Sequence, residues 1–313
     1  MKKNTYTVSE GTKPERLDTF ITCQSNLTRS YIQRLIKEGF ITVNSHNEKA
    51  RYTVKEGDRI DVILPNEPDG SLLPEDIPLD ILYEDEYMVV VNKPPDMVIY
   101  PAAGNKSGTL MNALMSRCSK LASVGAPLRP GVIHRLDKDT SGVIVIAKED
   151  EAYHKIIAQF RDRKVEKYYL ALLFGSLKEP RGEIRTLIGR SRSNRKKMSV
   201  KTDRGKEAIT QFEVIKKLRS ATLAKIRIVT GRTHQIRVHF SSRGHAVLGD
   251  KTYGKKTELI IGDESIIFPR QMLHAFSIKL QHPADNVQME FTAPMPEDME
   301  KAVMALTDDR IFR

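Results

Sequence analysis

Apolar residues recur at helical spacing in two segments near the N-terminus. Residues 16–21 carry apolar side chains at positions 17, 20 and 21, and residues 32–36 carry them at positions 32, 35 and 36. Spacings of three and four residues place side chains on one face of an α-helix. Asn26 or Thr28 can cap the second helix, and Gly39 is suited to end it. The pattern therefore predicts two short amphipathic helices.

Two segments that follow have the alternating pattern of strands. Residues 40–44 read FITVN and residues 59–64 read RIDVIL, with a Gly-Asp turn at residues 57–58 ahead of the second. Alternation places every second side chain on one face of a sheet, so these strands should be half-buried. Together with the helices they predict a compact α+β unit over residues 14–64.

Residues 65–79 interrupt this pattern. The segment holds four prolines and one glycine among acidic residues. That composition is typical of a linker. We therefore expect a boundary here between the N-terminal unit and the rest of the chain.

From residue 80 to residue 304, short apolar runs outnumber amphipathic helices. The predicted strands are 87–91, 143–147, 168–173, 209–215, 222–229 and 287–292. The predicted helices are 108–117, 151–162 and 233–242. Several strands follow one another closely, so they should pair antiparallel. The pattern predicts a second, larger α+β domain.

The positive charge of the chain is concentrated rather than spread. The 313 residues include 51 Lys+Arg and 40 Asp+Glu, a formal net charge of +11. Residues 181–206 alone hold ten basic and two acidic side chains, whereas residues 66–86 hold eight acidic and no basic ones. A concentrated basic patch is the electrostatic footprint of a nucleic-acid binder. A solvated basic loop is the alternative.

Composition also excludes some classes of protein. Hydrophobic residues make up 40% of the chain, enough to bury sizeable cores, but no apolar run of 18 residues predicts a transmembrane helix. The N-terminal residues 1–5 are not followed by the apolar segment of a secretory signal. Cys23 and Cys118 stand far apart without metal-binding spacing, which predicts reduced thiols in a cytoplasmic protein.

Three motifs carry the candidate chemistry. Residues 134–142 read HRLDKDTSG, ahead of the β-branched run VIVIA that should be a buried strand. A charged loop beside such a strand can hold a carboxylate at the edge of a rigid sheet. Residues 166–171 read EKYYLA, and residues 230–239 read TGRTHQIRVH. An Arg-Leu-Asp triplet alone is weak, since residues 16–18 repeat it.

In this order the three segments resemble the RluA-type pseudouridine synthases, whose motifs are HRLDxxTSG, K-x-Y-x-A and TGRTHQIRVH. Residues 92–95, NKPP, resemble that family's N-K-P-x-G segment and depart from it at Pro95-Asp96. The resemblance implies a mixed, mainly antiparallel sheet. It also implies an enzyme that isomerises uridine in RNA to pseudouridine with neither metal nor organic cofactor.

The N-terminal unit resembles a second family. Two helices followed by short strands, with basic residues on the second helix, are similar to the S4 domain, a small RNA-binding module. The sequence departs from the S4 pattern at Ser45-His46, where Gly is usual. An ordinary small α+β domain is the alternative. The two resemblances imply an S4 domain over 14–64, a linker over 65–79 and a catalytic domain over 80–304.

The resemblance also assigns roles to single residues. In the synthase family the Asp of the first motif is essential to catalysis, and it falls on Asp137. A carboxylate there can attack ribose C1′ as a nucleophile or deprotonate C2′ as a base, and the sequence leaves both open. Burial disfavours a charged carboxylate, so a nearby cation is expected, and the resemblance places Arg237 there.

The same motifs supply candidate contacts with the target nucleotide. Tyr169 matches the family's active-site tyrosine, which stacks on the base, whereas Tyr168 should face the other side of its strand. Arg135 matches an arginine that fills the place left in the RNA stack when the base is flipped out. A phosphate contact or a loop ion pair is the alternative for Arg135.

Basic residues should hold the RNA backbone. Phosphate contacts by Lys and Arg supply salt-dependent affinity but little sequence choice. The predicted backbone contacts are Arg29, Arg34 and Lys37 on the second helix, and Arg190, Arg192, Arg195, Lys196 and Lys197 in the basic segment.

These features predict an RNA pseudouridine synthase with an N-terminal S4 domain, acting as a monomer in the cytoplasm with no membrane or metal partner. The S4-plus-synthase arrangement resembles enzymes of the large ribosomal subunit, so 23S ribosomal RNA is the favoured substrate. A synthase acting on tRNA is one alternative. A non-catalytic RNA-binding or ribosome-assembly protein that has kept the fold is the other.

Overall fold

The chain folds into two compact units. The computed structural model describes residues 2–307 except positions 13, 26, 28, 65–71, 103, 193, 195–196 and 203. The first unit consists of residues 1–77, 100–132 and 147–153, and the second of residues 78–99, 133–146 and 154–313.

The N-terminal part of the first unit combines a four-stranded sheet with two helices. Its elements are β1 (Lys2–Thr7), α1 (Leu17–Gln24), α2 (Arg29–Lys37), β2 (Ile41–Val43), β3 (His46–Asn47) and β4 (Arg59–Leu64). The strand order is β1-β4-β2-β3, and the pairs are antiparallel. The predicted apolar stripes of both helices pack into one core with the strands. Strand β1 was not predicted and lies ahead of residue 14.

Two turns of this unit follow the expected backbone chemistry. Gly39 ends α2 with a left-handed φ of 79°, as predicted. The predicted caps Asn26 and Thr28 lie outside the described residues. At the β2–β3 turn, Asn44 and Ser45 have φ of 50° and 67°. Two consecutive left-handed residues favour glycine at the second position, which accounts for the glycine usual in the S4 pattern, and Ser45 adopts this conformation without it.

A buried aspartate joins α1 to α2. The Asp18 carboxylate accepts hydrogen bonds from Arg16 Nε at 2.9 Å, Arg29 Nε at 3.0 Å and Gln33 Nε2 at 2.5 Å. Burial alone would raise the pKa of Asp18, but these donors outweigh it and hold the pKa far below its ordinary value. The first Arg-Leu-Asp triplet of the chain is therefore structural.

The described part of the predicted linker lies against helix α3 (Leu110–Arg117). The Glu75 carboxylate accepts the Gly108 amide N–H at 3.0 Å, and Asn112 Nδ2 donates to the Leu73 carbonyl at 2.7 Å. Thr109 caps α3 in a reciprocal capping box with Asn112. Residues 72–77 are thus fixed by hydrogen bonds to the start of a helix.

The rest of the chain forms a large mixed sheet with helices packed on it. Its elements are β5 (Asp80–Glu84), β6 (Met88–Lys93), β7 (Ser141–Ala147), α4 (Asp150–Arg161), β8 (Glu166–Phe174), β9 (Arg181–Arg190), β10 (Met198–Ser199), β11 (Lys206–Leu218), β12 (Ala221–Ile228), α5 (Gln235–Ser242), β13 (Glu258–Ile261), β14 (Glu264–Ile267), β15 (Leu273–Gln281), β16 (Gln288–Thr292) and α6 (Glu297–Leu306).

The strand order of the sheet is β10-β9-β11-β12-β8-β15-β7-β6-β5, with β16 beside β15. Strand β15 pairs parallel with β7, whereas its pairs with β8 and β16 are antiparallel. Strand β7 is buried along its whole length. Helix α6 covers a core that includes Leu172, Phe268 and Met299. This confirms the predicted α+β class and the mixed, mainly antiparallel sheet.

Several elements of this domain were not predicted from the pattern of apolar residues: β5, β9, β10, β13, β14, β15 and α6. Strand β9 reads RGEIRTLIGR, in which charged residues occupy the exposed face and obscure the alternation. Strand β15 and helix α6 follow segments rich in polar residues. The basic segment 181–206 is therefore not one loop, because its first ten residues belong to the sheet.

A glycine allows the first motif to join the sheet. In the parallel pair, Ser141 lies opposite His274 and Gly142 opposite Ala275. Gly142 has φ of 109°, and a Cβ atom there would lie 2.2 Å from the carbonyl oxygen of Ala275. No side chain fits at this separation, so Gly142 permits β7 to approach β15 directly after the motif loop.

Gly142→Ala should lower the free energy of unfolding by about 3 kcal/mol, because strained backbone costs about 1–3 kcal/mol and the steric overlap adds to it. Urea unfolding followed by circular dichroism measures the change. Gly231→Ala is the matched control, since its Cβ would meet nothing within 4 Å. Equal unfolding midpoints for both variants would contradict the prediction. They would show that β7 and β15 can move apart to make room for the Cβ atom without loss of stability.

Candidate functional site

The loop that carries Asp137 is anchored on its C-terminal side. The Thr140 amide donates to the Asp137 carbonyl at 3.0 Å and closes a turn. Arg270 Nη1 donates to the Asp139 carbonyl at 3.0 Å, and Gln271 Nε2 donates to Thr140 Oγ1 at 2.7 Å. The loop thereby keeps a fixed position beside β7.

Arg270 is itself oriented by the C-terminal helix. Its Nε and Nη2 donate to the Asp298 carboxylate of α6 at 2.6 Å and 2.8 Å. Its Nη1 also donates to the carbonyls of Gln271 and Leu273. A bidentate Arg–carboxylate pair fixes the plane of the guanidinium. Helix α6 thus orients Arg270, and Arg270 in turn anchors the loop that carries Asp137.

The loop also rests on a neutral histidine at its start and on a buried lysine. His134 Nε2 accepts the Val145 amide N–H at 3.0 Å, and burial lowers the pKa of His134 to about 3. Lys93 Nζ donates to three backbone carbonyls, those of Pro94, Met97 and Lys138, the last at 3.0 Å. The weakly matching NKPP segment therefore supports the residue next to Asp137.

An ion pair joins the first and third motifs. Arg237 Nη1 donates to Asp137 Oδ2 at 2.7 Å, and the guanidinium is buried. The Asp137 carboxylate is half-buried, so part of it faces the cavity described below. Residues a hundred positions apart thus meet as the sequence motifs suggested.

Asp250 is a site residue that the sequence motifs did not reveal. Its carboxylate accepts from Arg237 Nε at 2.7 Å and Nη2 at 3.0 Å, and from the amides of Thr252 and Tyr253. Burial alone would raise the pKa of Asp250, but the hydrogen bonds and charge of Arg237 outweigh it and lower the pKa. Asp250 follows the apolar run Ala246–Leu248 and Gly249, a strand-end pattern that could have indicated it.

His234 and Tyr253 complete the surroundings of Asp137. His234 Nε2 lies 3.7 Å from Asp137 Oδ1, and its Nδ1 lies 2.8 Å from the Tyr253 hydroxyl. That hydroxyl accepts the Met198 amide N–H at 2.9 Å. His234 has a left-handed φ of 56°, a strained conformation of the kind found at functional sites. Its pKa is lowered, chiefly by burial.

The order of these contacts leaves one oxygen of Asp137 open. Oδ2 is committed to Arg237, whereas the described residues offer Oδ1 only His234, at a distance beyond that of a hydrogen bond. An ionised carboxylate held this way can act as a nucleophile or as a base.

Gln235 holds the shape of the third motif. Gln235 Nε2 donates to the Ile209 carbonyl and to Thr210 Oγ1, both at 3.0 Å. Its Oε1 accepts from Thr230 Oγ1 and the Arg232 amide. These bonds tie the turn between β12 and α5 to strand β11. They thereby fix the start of α5, the helix that carries Arg237.

Tyr169 and Asp137 line the same cavity, which has a volume of 590 Å³. Tyr169 is buried, and burial raises the pKa of its hydroxyl, with a further rise from the charge of Asp137. Tyr168 lies on the opposite face of β8, where Lys225 Nζ lies 4.8 Å from its ring centre. The alternation of β8 thus separates the two tyrosines as predicted from strand geometry.

Arg135 and several other cations line the cavity. Arg135 is exposed on the motif loop. The further basic residues that line this cavity are Arg161, Arg163, Lys167, Arg232 and Arg237. A cavity bordered by cations around one carboxylate suits a neutral group carried on an anionic chain.

The predicted backbone-binding residues of the basic segment lie at and beyond the end of β9. Arg190 and Arg192 are exposed. Lys197 is half-buried, and its Nζ donates to the Thr252 carbonyl at 2.7 Å. Arg195 and Lys196 lie outside the described residues. Lys197 therefore joins the basic segment to the turn that carries Asp250.

The predicted contacts on α2 are exposed but not equivalent. Arg29 is bound to Asp18 as described, with about half of its side chain accessible. Arg34 lies 3.9 Å from the Glu38 carboxylate and 5.0 Å from the centre of the Tyr31 ring. Lys37 has no ion pair among the residues described by the structure. Lys37 is thus the most available cation of this helix.

Neither a metal centre nor a membrane span emerges from the described residues. No group of three or more His, Cys, Asp or Glu side chains there could hold a metal ion. None of the helices in that part of the chain is long and apolar enough to cross a membrane. Cys23 is exposed and Cys118 is buried, and the two are not joined in a disulfide.

Comparison with known proteins finds matches in both parts of the chain. A family model described as RNA pseudouridylate synthase matches residues 87–242, and an S4 domain model matches residues 15–60. An RNA pseudouridine synthase of Bacillus subtilis is 38% identical over 304 residues, covering 97% of this chain and 98% of the relative.

Two further similarities extend this result. Ribosomal large subunit pseudouridine synthase D of Zymomonas mobilis is 42% identical over 283 residues, covering 88% of each chain. The solved structure of human RNA pseudouridylate synthase domain containing 1 aligns with a TM-score of 0.54 and 28% identity, covering 77% of this chain and 97% of that one.

Asp250→Asn should lower the free energy of unfolding by about 3 kcal/mol, because it leaves a buried guanidinium without its bidentate partner. Since the pKa of Asp250 is lowered in the folded protein, its contribution is present at neutral pH. That contribution is lost as the pH falls below about 4, the ordinary value of an aspartate, toward the folded pKa.

Urea unfolding between pH 7 and pH 3 measures both effects, and the variant should lose less stability on acidification than the wild type. Glu183→Gln is the control, because the pair of Glu183 and Arg185 is exposed and solvent screens such pairs. Equal losses for the two variants at pH 7 would contradict the proposed weight of the buried pair.

Proposed function

The chain belongs to the RNA pseudouridylate synthase family, and from that premise we propose that it converts uridines of large-subunit ribosomal RNA to pseudouridine with Asp137 as the reacting carboxylate. One observation carries the choice of Asp137. Its Oδ2 is held by a buried guanidinium at 2.7 Å, while Oδ1 is open in a cavity that could hold one nucleoside.

The geometry suits either route to the first bond cleavage. Asp137 Oδ1 can attack C1′ and form an ester, or it can remove the proton from C2′ and leave a C1′–C2′ double bond. In both routes the C1′–N1 bond breaks and N1 keeps the electron pair. The base then turns and C5 bonds to C1′, as the ester oxygen of Asp137 leaves C1′ in the first route or Asp137 returns the proton to C2′ in the second. The proton on C5 is then lost to solvent, and N1 takes up a proton.

The target uridine must leave the RNA stack before it reaches Asp137. Flipping a base out of a helix costs a few kcal/mol, which protein contacts must offset. We assign stacking on the flipped base to Tyr169, because its ring is buried in the cavity with Asp137. Arg135 is exposed on the loop that carries Asp137. From this position it can enter the place in the RNA stack that the flipped base leaves.

The choice of RNA rests on the relatives and on the S4 domain. Two of the relatives are ribosomal large subunit pseudouridine synthases D, and the S4 match precedes the catalytic match in this chain. The site is complete within one chain, which supports action as a monomer. Ribosomal RNA as the substrate supports a cytoplasmic location. A tRNA substrate is the competing hypothesis.

Asp137→Asn should abolish isomerisation while the affinity for RNA stays within about threefold, because phosphate contacts supply most of the affinity. Release of tritium from large-subunit rRNA labelled at uridine C5 measures the reaction, and filter binding measures affinity. Asp96→Asn is the matched control. Asp96 lies near the site and pairs with Lys138, but its side chain is exposed.

Release by Asp137→Asn at the wild-type rate would overturn the assignment of Asp137. Release by the wild type from tRNA but not from rRNA would overturn the choice of substrate. Binding without release from either RNA would favour the non-catalytic, ribosome-assembly alternative. These three outcomes are distinguishable within one set of assays.

Arg195→Gln combined with Lys196→Gln should weaken binding to target and unrelated RNA alike. Each lost phosphate contact should lower the slope of log affinity against log salt by about 0.7–0.9. Titrations at several salt concentrations measure the slope. Lys178→Gln removes a charge outside segment 190–197 and serves as the control. An unchanged slope would show that this part of the segment is only a solvated loop.

A further inference from the structure

Lys167 is a second charged group of the cavity, and the motif roles above do not use it. It precedes Tyr169 by two residues on β8, so both side chains lie on the same face of the strand, about 6.6 Å apart along it. Both line the cavity that contains Asp137. The side chain of Lys167 is thus the next one along the surface on which the base would stack.

The surroundings of Lys167 do not neutralise its charge. The residue is 9% exposed, and its Nζ lies 5.0 Å from the centre of the Phe160 ring. Phe160 stacks on the neutral ring of His134 at 5.1 Å. No carboxylate among the described residues pairs with the ammonium. The adjacent Glu166 is bound to Arg227 at 2.8 Å.

Among the described residues the ammonium has a cation–π contact with Phe160 but no carboxylate to balance its charge. Desolvating a lysine that lacks an opposite charge costs free energy, so its charge is available to a group that enters the cavity. The ammonium faces a cavity large enough for a nucleoside. The missing partner is therefore expected to be a group of the substrate.

The proposed reaction creates an anion at this place. When the C1′–N1 bond breaks by either route, N1 keeps the electron pair and the detached uracil carries a negative charge spread over N1, O2 and O4. When the ribose lies at Asp137 and the ring on Tyr169, Lys167 is the next side chain of β8 beside the base. We propose that Lys167 is a catalytic residue that stabilises the detached uracil anion by binding its carbonyl oxygens.

A lysine suits this task better than an arginine. The base has to turn before C5 can bond to C1′, so its oxygens exchange places during the reaction. An ammonium is a compact charge with three rotatable donors, whereas a guanidinium is a rigid fork that favours one planar arrangement. Lys167 can therefore stabilise the anion before and after the turn. The inference rests on the proposed function.

The protonation of Lys167 provides a test in the wild-type protein. Burial, together with the charge of Arg227, lowers the pKa of Lys167 to about 8. Because only the ammonium stabilises an anion, the rate should fall as the pH rises through this value. The other charged and titratable groups that line the cavity or act on the ammonium are His134, Arg135, Asp137, Arg161, Arg163, Glu166, Tyr169, Arg227, Arg232, His234 and Arg237.

Lys167→Met and Lys167→Arg separate charge from packing. Single-turnover tritium release from C5-labelled large-subunit rRNA should be about 100-fold slower with Lys167→Met, the size of effect seen when one group that stabilises developing charge is removed. RNA affinity should stay within about threefold, since phosphate contacts dominate it. Lys167→Arg should retain more activity than Lys167→Met and should not lose it near pH 8, because a guanidinium stays charged.

Thermal unfolding monitored by circular dichroism identifies a variant that fails to fold, and the wild-type pH profile then carries the test. A wild-type rate that stays constant from pH 7 to pH 9.5 overturns the proposal. A folded Lys167→Met variant with the wild-type rate also overturns it. Both results leave the proposed function intact as long as Asp137→Asn is inactive in the same assay, so the two hypotheses fail separately.

Discussion

The guanidinium of Arg237 between two aspartates is the interaction on which the site depends. The Asp250 carboxylate accepts hydrogen bonds from two of its nitrogens, Nε and Nη2, and so fixes the plane of the guanidinium. The remaining nitrogen, Nη1, is then directed at Asp137. A single arginine thereby serves as a structural partner on one side and as the counter-charge of a reacting carboxylate on the other. The loop that carries Asp137 is fixed separately, through Lys93, Arg270 and Gln271. The two halves of the ion pair are thus positioned by different parts of the sheet.

The sequence predicted the elements whose side chains follow a clear period and the residues that stand in motifs. Helices α1 and α2 and the strands around Tyr169 were of this kind, because burial on one face leaves a repeating apolar pattern. Strand β9 was missed because its exposed face is charged. Asp250 and Tyr253 were missed for another reason. They act through contacts with residues distant in sequence, and single-sequence patterns carry little information about such contacts.

The same limit applies to the roles of residues that were found. Lys197 and Arg29 were selected as cations, and the fold gives each a partner within the protein: the Thr252 carbonyl for Lys197 and the Asp18 carboxylate for Arg29. A sequence shows which side chains are charged. Only the folded structure shows which of them already have a partner within the protein. Lys167 is the opposite case. It appeared as one letter of a motif, and only its burial without a carboxylate partner indicated a separate role.

The ion pair of Arg270 and Asp298 affects which fragment of this protein is the smallest that can be catalytically active. The family match ends at residue 242, and all three motifs lie before that point. Asp250, Tyr253, Arg270 and Asp298 come after it, yet they orient Arg237, His234 and the loop of Asp137. A gene shortened to the matched region would still be recognised by every motif and would encode a chain without the supports of its own active site. The segment matched by the family model is therefore shorter than the part of the chain needed to form the active site.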